Sequence, residues 1–150
     1  VQIFDAVGCD TTITGTRIGR LTIESGVTCL AEEARILGPV TVRPGAGRIA
    51  TGADIIGPVS ANGALTVQLL GGRLLGPVTI DGTTGRAAVL DALVVGPVRL
   101  TGNTTGITPI EVVSNMIAGP LQCTGNSPSP ADNGLPNSVV GPASGQCAEF

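Results

Sequence analysis

The chain of 150 residues has no histidine, lysine, tryptophan or tyrosine, and its only aromatic side chains are Phe4 and Phe150. Each absence removes a class of chemistry. Without His or Lys, general acid–base work falls to carboxylates alone. All eight basic residues are arginines against 11 acidic ones, for a formal charge of -3, so no basic stripe with stacking aromatics is available for nucleic acid. No apolar run reaches the roughly 18 to 20 residues of a membrane-spanning helix, because Gly, Pro or a charge intervenes throughout. Neither a Gly-x-x-x-x-Gly-Lys phosphate loop nor a strand-to-helix dinucleotide fingerprint occurs, and no cofactor is expected. With four cysteines, no His and no Cys-x-x-Cys, no metal site is expected either.

What the sequence has in quantity is glycine and proline, 23 and 11 residues, within a 42% hydrophobic composition rich in Val, Ile and Thr. That mixture suits many short strands joined by tight corners around an aliphatic core. The glycines and prolines are periodic. Gly38-Pro39-Val40 returns as Gly57-Pro58-Val59, Gly76-Pro77-Val78 and Gly96-Pro97-Val98, then as Gly119-Pro120-Leu121 and Gly141-Pro142-Ala143. Starting one period earlier at Gly19, the spacings are 19, 19, 19, 20, 23 and 22 residues. A period in this range is the signature of a solenoid.

Within each period the alternation is that of short strands with one buried face. Ala34-Arg35-Ile36, Val40-Thr41-Val42, a segment ending at Ile49, Ala53-Asp54-Ile55 and Val59-Ser60-Ala61 read in, out, in. Leu65-Thr66-Val67, Val78-Thr79-Ile80, Ala92-Leu93-Val94 and Val98-Arg99-Leu100 repeat the pattern. Steps of six, six and seven residues carry the chain round three sides. The expected fold is all-β: a single-domain, three-sided parallel β-helix of about seven coils of 19–23 residues, with residues 1–18 as N-terminal cap, 19–123 as regular coils and 124–150 as C-terminal cap loop and last partial coil.

Stacking the coils predicts inward columns Val40, Val59, Val78, Val98 and Ile36, Ile55, Leu74, Val94, Ile117. The outward column is Thr22, Thr41, Ser60, Thr79, Arg99, Gln122. Arg35, Asp54 and Arg73 align up one side, and Glu24 faces Arg43 across a rung. Exposed pairs of this kind contribute about 0–1 kcal/mol each and act mainly on register. One outward column breaks the polar rule: Leu37, Ile56, Leu75 and Val95 each precede a repeated glycine. If alternation holds to the corner, they form an exposed apolar ridge, the candidate interface; a distorted corner would turn them inward instead. The open strand edges at the two ends are a second candidate contact.

Cys9 and Cys29 lie 20 residues apart and Cys123 and Cys147 lie 24 apart, each about one period. Residues one coil apart sit near the strand spacing of about 4.8 Å, which a disulfide accepts. Two disulfides, one stapling each end, are expected, each worth roughly 3 kcal/mol on the chain-entropy model; four buried free thiols are the alternative. Disulfides imply an oxidising compartment and hence secretion.

No catalytic residue is assigned. Glu32 and Glu33 are adjacent, where neighbouring strand residues point apart and a solvated turn accounts for them, and Asp54, Asp81 and Asp91 offer little more. Asn103-Thr104-Thr105 has the form of a glycosylation sequon but reads as a turn. A single Thr column is too few for an ice-binding face.

The tail Gly119-Pro120-Leu121-Gln122-Cys123-Thr124-Gly125-Asn126-Ser127-Pro128-Ser129-Pro130, with Asn137-Ser138-Val139-Val140-Gly141-Pro142 and Gly145-Gln146-Cys147, resembles the end of secreted, actinobacterial-type β-solenoid repeat proteins. The resemblance implies export and a β-solenoid and carries over no catalytic residue. In architecture the repeat is also similar to bactofilins, cytoskeletal β-helices that polymerise end to end. The expected function is therefore non-enzymatic: a rigid, self-associating unit of an extracellular filament or surface assembly, with a homo-oligomer as partner. The alternative is a polysaccharide- or cell-wall-binding accessory module.

Overall fold

In the computed structural model, residues 11–105, 110–132 and 134–148 are described, and they contain strands and turns but no helix. Three parallel sheets of six, seven and seven strands wrap the chain into a three-sided solenoid. The first sheet contains Thr11–Ile13, Val27–Leu30, Gly47–Thr51, Thr66–Leu70, Arg86–Leu90 and Glu111–Val113. The second stacks Thr16–Ile18, Arg35–Leu37, Asp54–Ile56, Arg73–Leu75, Leu93–Val95, Met116–Ala118 and Ser138–Val139. The third stacks Leu21–Ile23, Val40–Val42, Val59–Asn62, Val78–Asp81, Val98–Thr101, Leu121–Thr124 and Ala143–Gly145.

The inward columns form in register. Val40, Val59, Val78 and Val98 pair rung to rung, as do Ile36, Ile55, Leu74, Val94 and Ile117, and all are buried. Like shapes stacked at the strand spacing fill the lumen without aromatics. The polar column Thr22, Thr41, Ser60, Thr79, Arg99, Gln122 is likewise in register on the opposite face of the third sheet.

The repeated Gly-Pro is a stacked corner. Gly57 has φ +144°, and a Cβ there would stand 2.6 Å from the carbonyl oxygen of Gly38 one coil below. Glycine is thus required twice over, by conformation and by the approach of successive corners. Proline suits the next position because only its carbonyl is needed: Val40 N–H donates to Pro58 O and Val59 N–H to Pro77 O, both at 2.9 Å.

The first sheet departs from the expected alternation. Leu65 is 46% exposed and Thr66 is buried, because Ala64 already takes the inner place at the corner and two residues pass outside before Val67 turns in. Ile49 is buried, but it clusters with Val27 and Cys29 apart from the main core, while Ala50 belongs to that core. Alternation then sets Arg48 inward, beside Thr28 and Val67 in register. The outer face of this sheet is not solvated either, since Thr66, Gln68, Leu70 and Ala88 are all buried.

The turn-rich stretch after Cys123 follows the coil below it. Ser127 bridges Thr104 and Ala131 bridges Glu111, with Ala131 N–H donating to Ile110 O at 2.8 Å and Val112 N–H to Ala131 O at 3.0 Å. Pro130 is buried beneath it. Cys123 and Cys147 form a fully buried disulfide with a Cα separation of 5.4 Å. Among the described residues no cysteine is a free thiol; Cys9, and with it the expected Cys9–Cys29 pairing, lies outside the described residues.

Candidate functional site

The residue before each repeated glycine ends a strand of the second sheet. Ile18, Leu37, Ile56, Leu75, Val95 and Ala118 pair successively in register. Their neighbours one position back, Arg17, Ile36, Ile55, Leu74, Val94 and Ile117, form the opposite column, buried from Ile36 onward. The side chains before the glycines therefore point away from the lumen. Leu37 and Ile56 are half-buried, Leu75 and Val95 are 38% and 46% exposed, and Ile18 at one end is 81% exposed.

The column is longer than the four residues singled out from the sequence. Ile18 and Ala118 also precede glycines, as does Val140, whose N–H donates to Ile117 O at 2.9 Å and which is 79% exposed. Seven rungs at about 4.8 Å give a ridge roughly 29 Å long. Beyond the glycines, Pro58, Pro77, Pro97, Pro120 and Pro142 are exposed on the same corner, so the apolar strip is two columns wide. The signal was in the sequence: the same offset from glycine marks Ile18, Ala118 and Val140.

The second outward column of this sheet changes character along the solenoid. Arg35, Asp54 and Arg73 occupy successive rungs, followed by Leu93 and Met116. Arg73 donates from Nη2 to Asp54 Oδ2 at 2.9 Å and from Nε to Oδ1 at 3.4 Å. The hydrogen bond from Arg73 holds the Asp54 carboxyl below its ordinary range, with its charge and that of Arg35 acting in the same direction. Among the described residues no ion pair joins Glu24 and Arg43, although their strands are in register; both are exposed, and solvent competes for two long side chains. A pair that spacing did not suggest is Arg86 with Glu111, half-buried on the outer face of the first sheet.

Among the described residues the candidate carboxylates beyond the adjacent Glu32 and Glu33 lie apart from one another. Glu32 and Glu33 are exposed on a turn, Asp54 is engaged by Arg73, and Asp91 is exposed at a positive φ of 53°. Among the described residues no group of three or more His, Cys, Asp or Glu side chains could hold a metal ion. Asn103 of the sequon is fully buried, and its amide nitrogen donates to Ile80 O at 3.0 Å and Asn126 Oδ1 at 2.8 Å, so it is not presented for modification.

On the third sheet a shallow groove of about 220 Å³ is lined by Thr79, Pro97, Arg99, Pro120 and Gln122. No helix among the described residues is long and apolar enough to cross a membrane. The chain matches no family model, no curated protein and no solved structure.

Proposed function

We propose that this protein is a secreted, non-enzymatic structural unit that works by self-association through the apolar corner of its solenoid. The observation that carries the reading is the ridge Leu37, Ile56, Leu75 and Val95, in register and outward, extended by Ile18 and Val140. An apolar strip this long on a rigid frame marks a contact surface. The Cys123–Cys147 disulfide supports export to an oxidising compartment. Lateral contact is favoured over stacking at the first rung, where Arg17 sets an exposed charge in line with Ile36 and so discourages edge pairing.

The test is Ile56→Asp with Leu75→Asp, measured by light scattering beside circular dichroism. Loss of association with a retained β spectrum is expected, and an unchanged particle size would remove the ridge from the argument. The groove at Thr79, Arg99 and Gln122, with Pro97 and Pro120 beside them, supports a second reading as a polysaccharide-binding module. Glycan binding by the monomeric double variant would favour that reading.

A further inference from the structure

We propose that the ridge docks on the ridge of a second copy about a two-fold axis parallel to the strands, so that the solenoids lie antiparallel with each Asp54 facing the partner's Arg73. The inference rests on the self-association reading and adds the partner's orientation and register.

A two-fold axis lying in the contact plane brings the outer face of the second sheet against itself, and its two limiting directions run along the solenoid and along the strands. An axis along the solenoid superposes each rung on its own counterpart and reverses the order of the columns. With the apolar columns in contact, Asp54 and Arg73 would then lie against the partner's prolines and lose water without gaining a charge partner, which is costly. An axis along the strands reverses the rungs and keeps each column opposite its own kind. Apolar meets apolar, and the charged column meets itself upside down.

The charges and the length of the contact then choose the register: an axis midway between the rungs of Arg35 and Asp54 also sets opposite charges together, but it overlaps four rungs of the ridge, Ile18 to Leu75, against six for one midway between Asp54 and Arg73. An axis through the rung of Asp54 would set Asp54 on Asp54, and one through the rung of Arg73 would set Arg73 on Arg73. An axis midway between these rungs, which are adjacent in the sheet, sets each Asp54 against the partner's Arg73 and closes a ring of four alternating charges. The intramolecular pair leaves room for this. It uses two of the five Arg73 donors, and the side chains remain 60% and 29% exposed for Arg73 and Asp54. The same axis puts Ile56 on the partner's Leu75, Leu37 on Val95 and Ile18 on Ala118, and places Arg35 opposite Leu93, one rung from both its own Asp54 and the partner's Arg73. A contact of this symmetry is isologous and closes at two copies.

Sedimentation equilibrium of the full chain tests it, using wild type, Asp54→Arg, Arg73→Asp and an equimolar mixture of the two variants. Each variant alone sets like charges across the axis and is expected to dimerise about tenfold more weakly than wild type. The mixture is expected to recover wild-type affinity as a heterodimer, because Arg at 54 of one variant meets Asp at 73 of the other in one half of the contact, and the native Arg73 meets the native Asp54 in the other half. Asp54→Lys with Arg73→Glu supplies a second complementary pair with the same expectation, should either reversal fail to fold. A mixture that associates no better than its separate components, in a protein whose wild type does dimerise, overturns the antiparallel register while leaving the ridge as the contact. A wild type that stays monomeric overturns both.

Discussion

Asn103 donates its side-chain amide to Asn126 Oδ1 at 2.8 Å, one coil up, and Asn126 repeats the move by donating to Gln146 Oε1 at 2.9 Å. Each amide also serves the backbone on both sides. Asn103 Oδ1 accepts from Thr83 N–H at 2.8 Å, while Asn126 Oδ1 accepts from Asn103 N–H at 3.1 Å and its nitrogen donates to Leu100 O at 2.9 Å. A second ladder crosses another corner, where Asn115 donates to Asn137 Oδ1 at 2.9 Å and to Val89 O at 2.7 Å. In the lower coils the place of Asn103 is taken by Ala64 and Thr83, and that of Asn115 by Ala92. The ladders begin where the period lengthens from 20 to 23 residues. Wider coils leave corner N–H and C=O groups that the strand ladder does not reach, and the amide, with both donor and acceptor, fills them.

Asn126→Ala is therefore expected to cost about 2–4 kcal/mol of unfolding free energy, since it strands the Leu100 carbonyl and the Asn103 N–H together and removes the acceptor of the Asn103 side-chain amide. Urea denaturation provides the measure. Asn62→Ala, at an exposed position three coils below, is the control and should stay within about 0.5 kcal/mol of wild type. Equal losses at both positions would show that the ladder adds nothing to stability.

The columns of Val40 and Ile36 were legible in the sequence because a repeat writes the same residue type at the same offset, and stacking turns that offset into a contact. The ridge was legible as a position for the same reason; its outward direction follows from the Gly-Pro corner holding its strand geometry to the last residue. The asparagine ladders were not legible. Gly102-Asn103 carries the local signature of a turn, and it is one; what distinguishes Asn103 is the residue 23 positions later. Ile49 was read as an inward residue, whereas Arg48 faces the lumen and Ile49 the outer side, because the strand Gly47–Thr51 pairs 20 residues back, Thr28 with Arg48, but 19 residues forward, Arg48 with Val67. A difference of one residue exchanges the faces of a strand, and alternation alone does not locate the odd residue.

Gly57→Ala should separate the two demands on the corner glycine. Its Cβ would meet the Gly38 carbonyl oxygen at 2.6 Å in a backbone with φ +144°, so steric overlap adds to conformational strain and a loss of about 3 kcal/mol or more is expected. Gly45→Ala meets nothing within 4 Å and keeps only the strain of φ +80°, for a loss of about 1 kcal/mol. Thermal denaturation of the two variants gives the comparison. Similar losses would mean that the coils part easily at this corner and that the stacked glycines are not what sets their spacing.

Arg48 is wholly buried, and its Nε, Nη1 and Nη2 have no hydrogen-bond partner among the described residues. Burial pushes its pKa down from its ordinary value to about 9, because a guanidinium in an aliphatic lumen is stabilised less than one in water. The unfolded chain then binds more protons than the folded one across that interval. The penalty on folding is thus present in full below the folded-state pKa and is relieved as pH rises from about 9 towards the ordinary range of a guanidinium. No Lys, Tyr or His titrates in the same window to mask it. Stability of the wild type should accordingly climb between about pH 8 and 11, while Arg48→Met, which fills the same space without the charge, should be more stable by about 1–3 kcal/mol at neutral pH and flat across that range. Urea titrations of both proteins at several pH values measure the slopes. A less stable Arg48→Met would show that the guanidinium holds the lumen together.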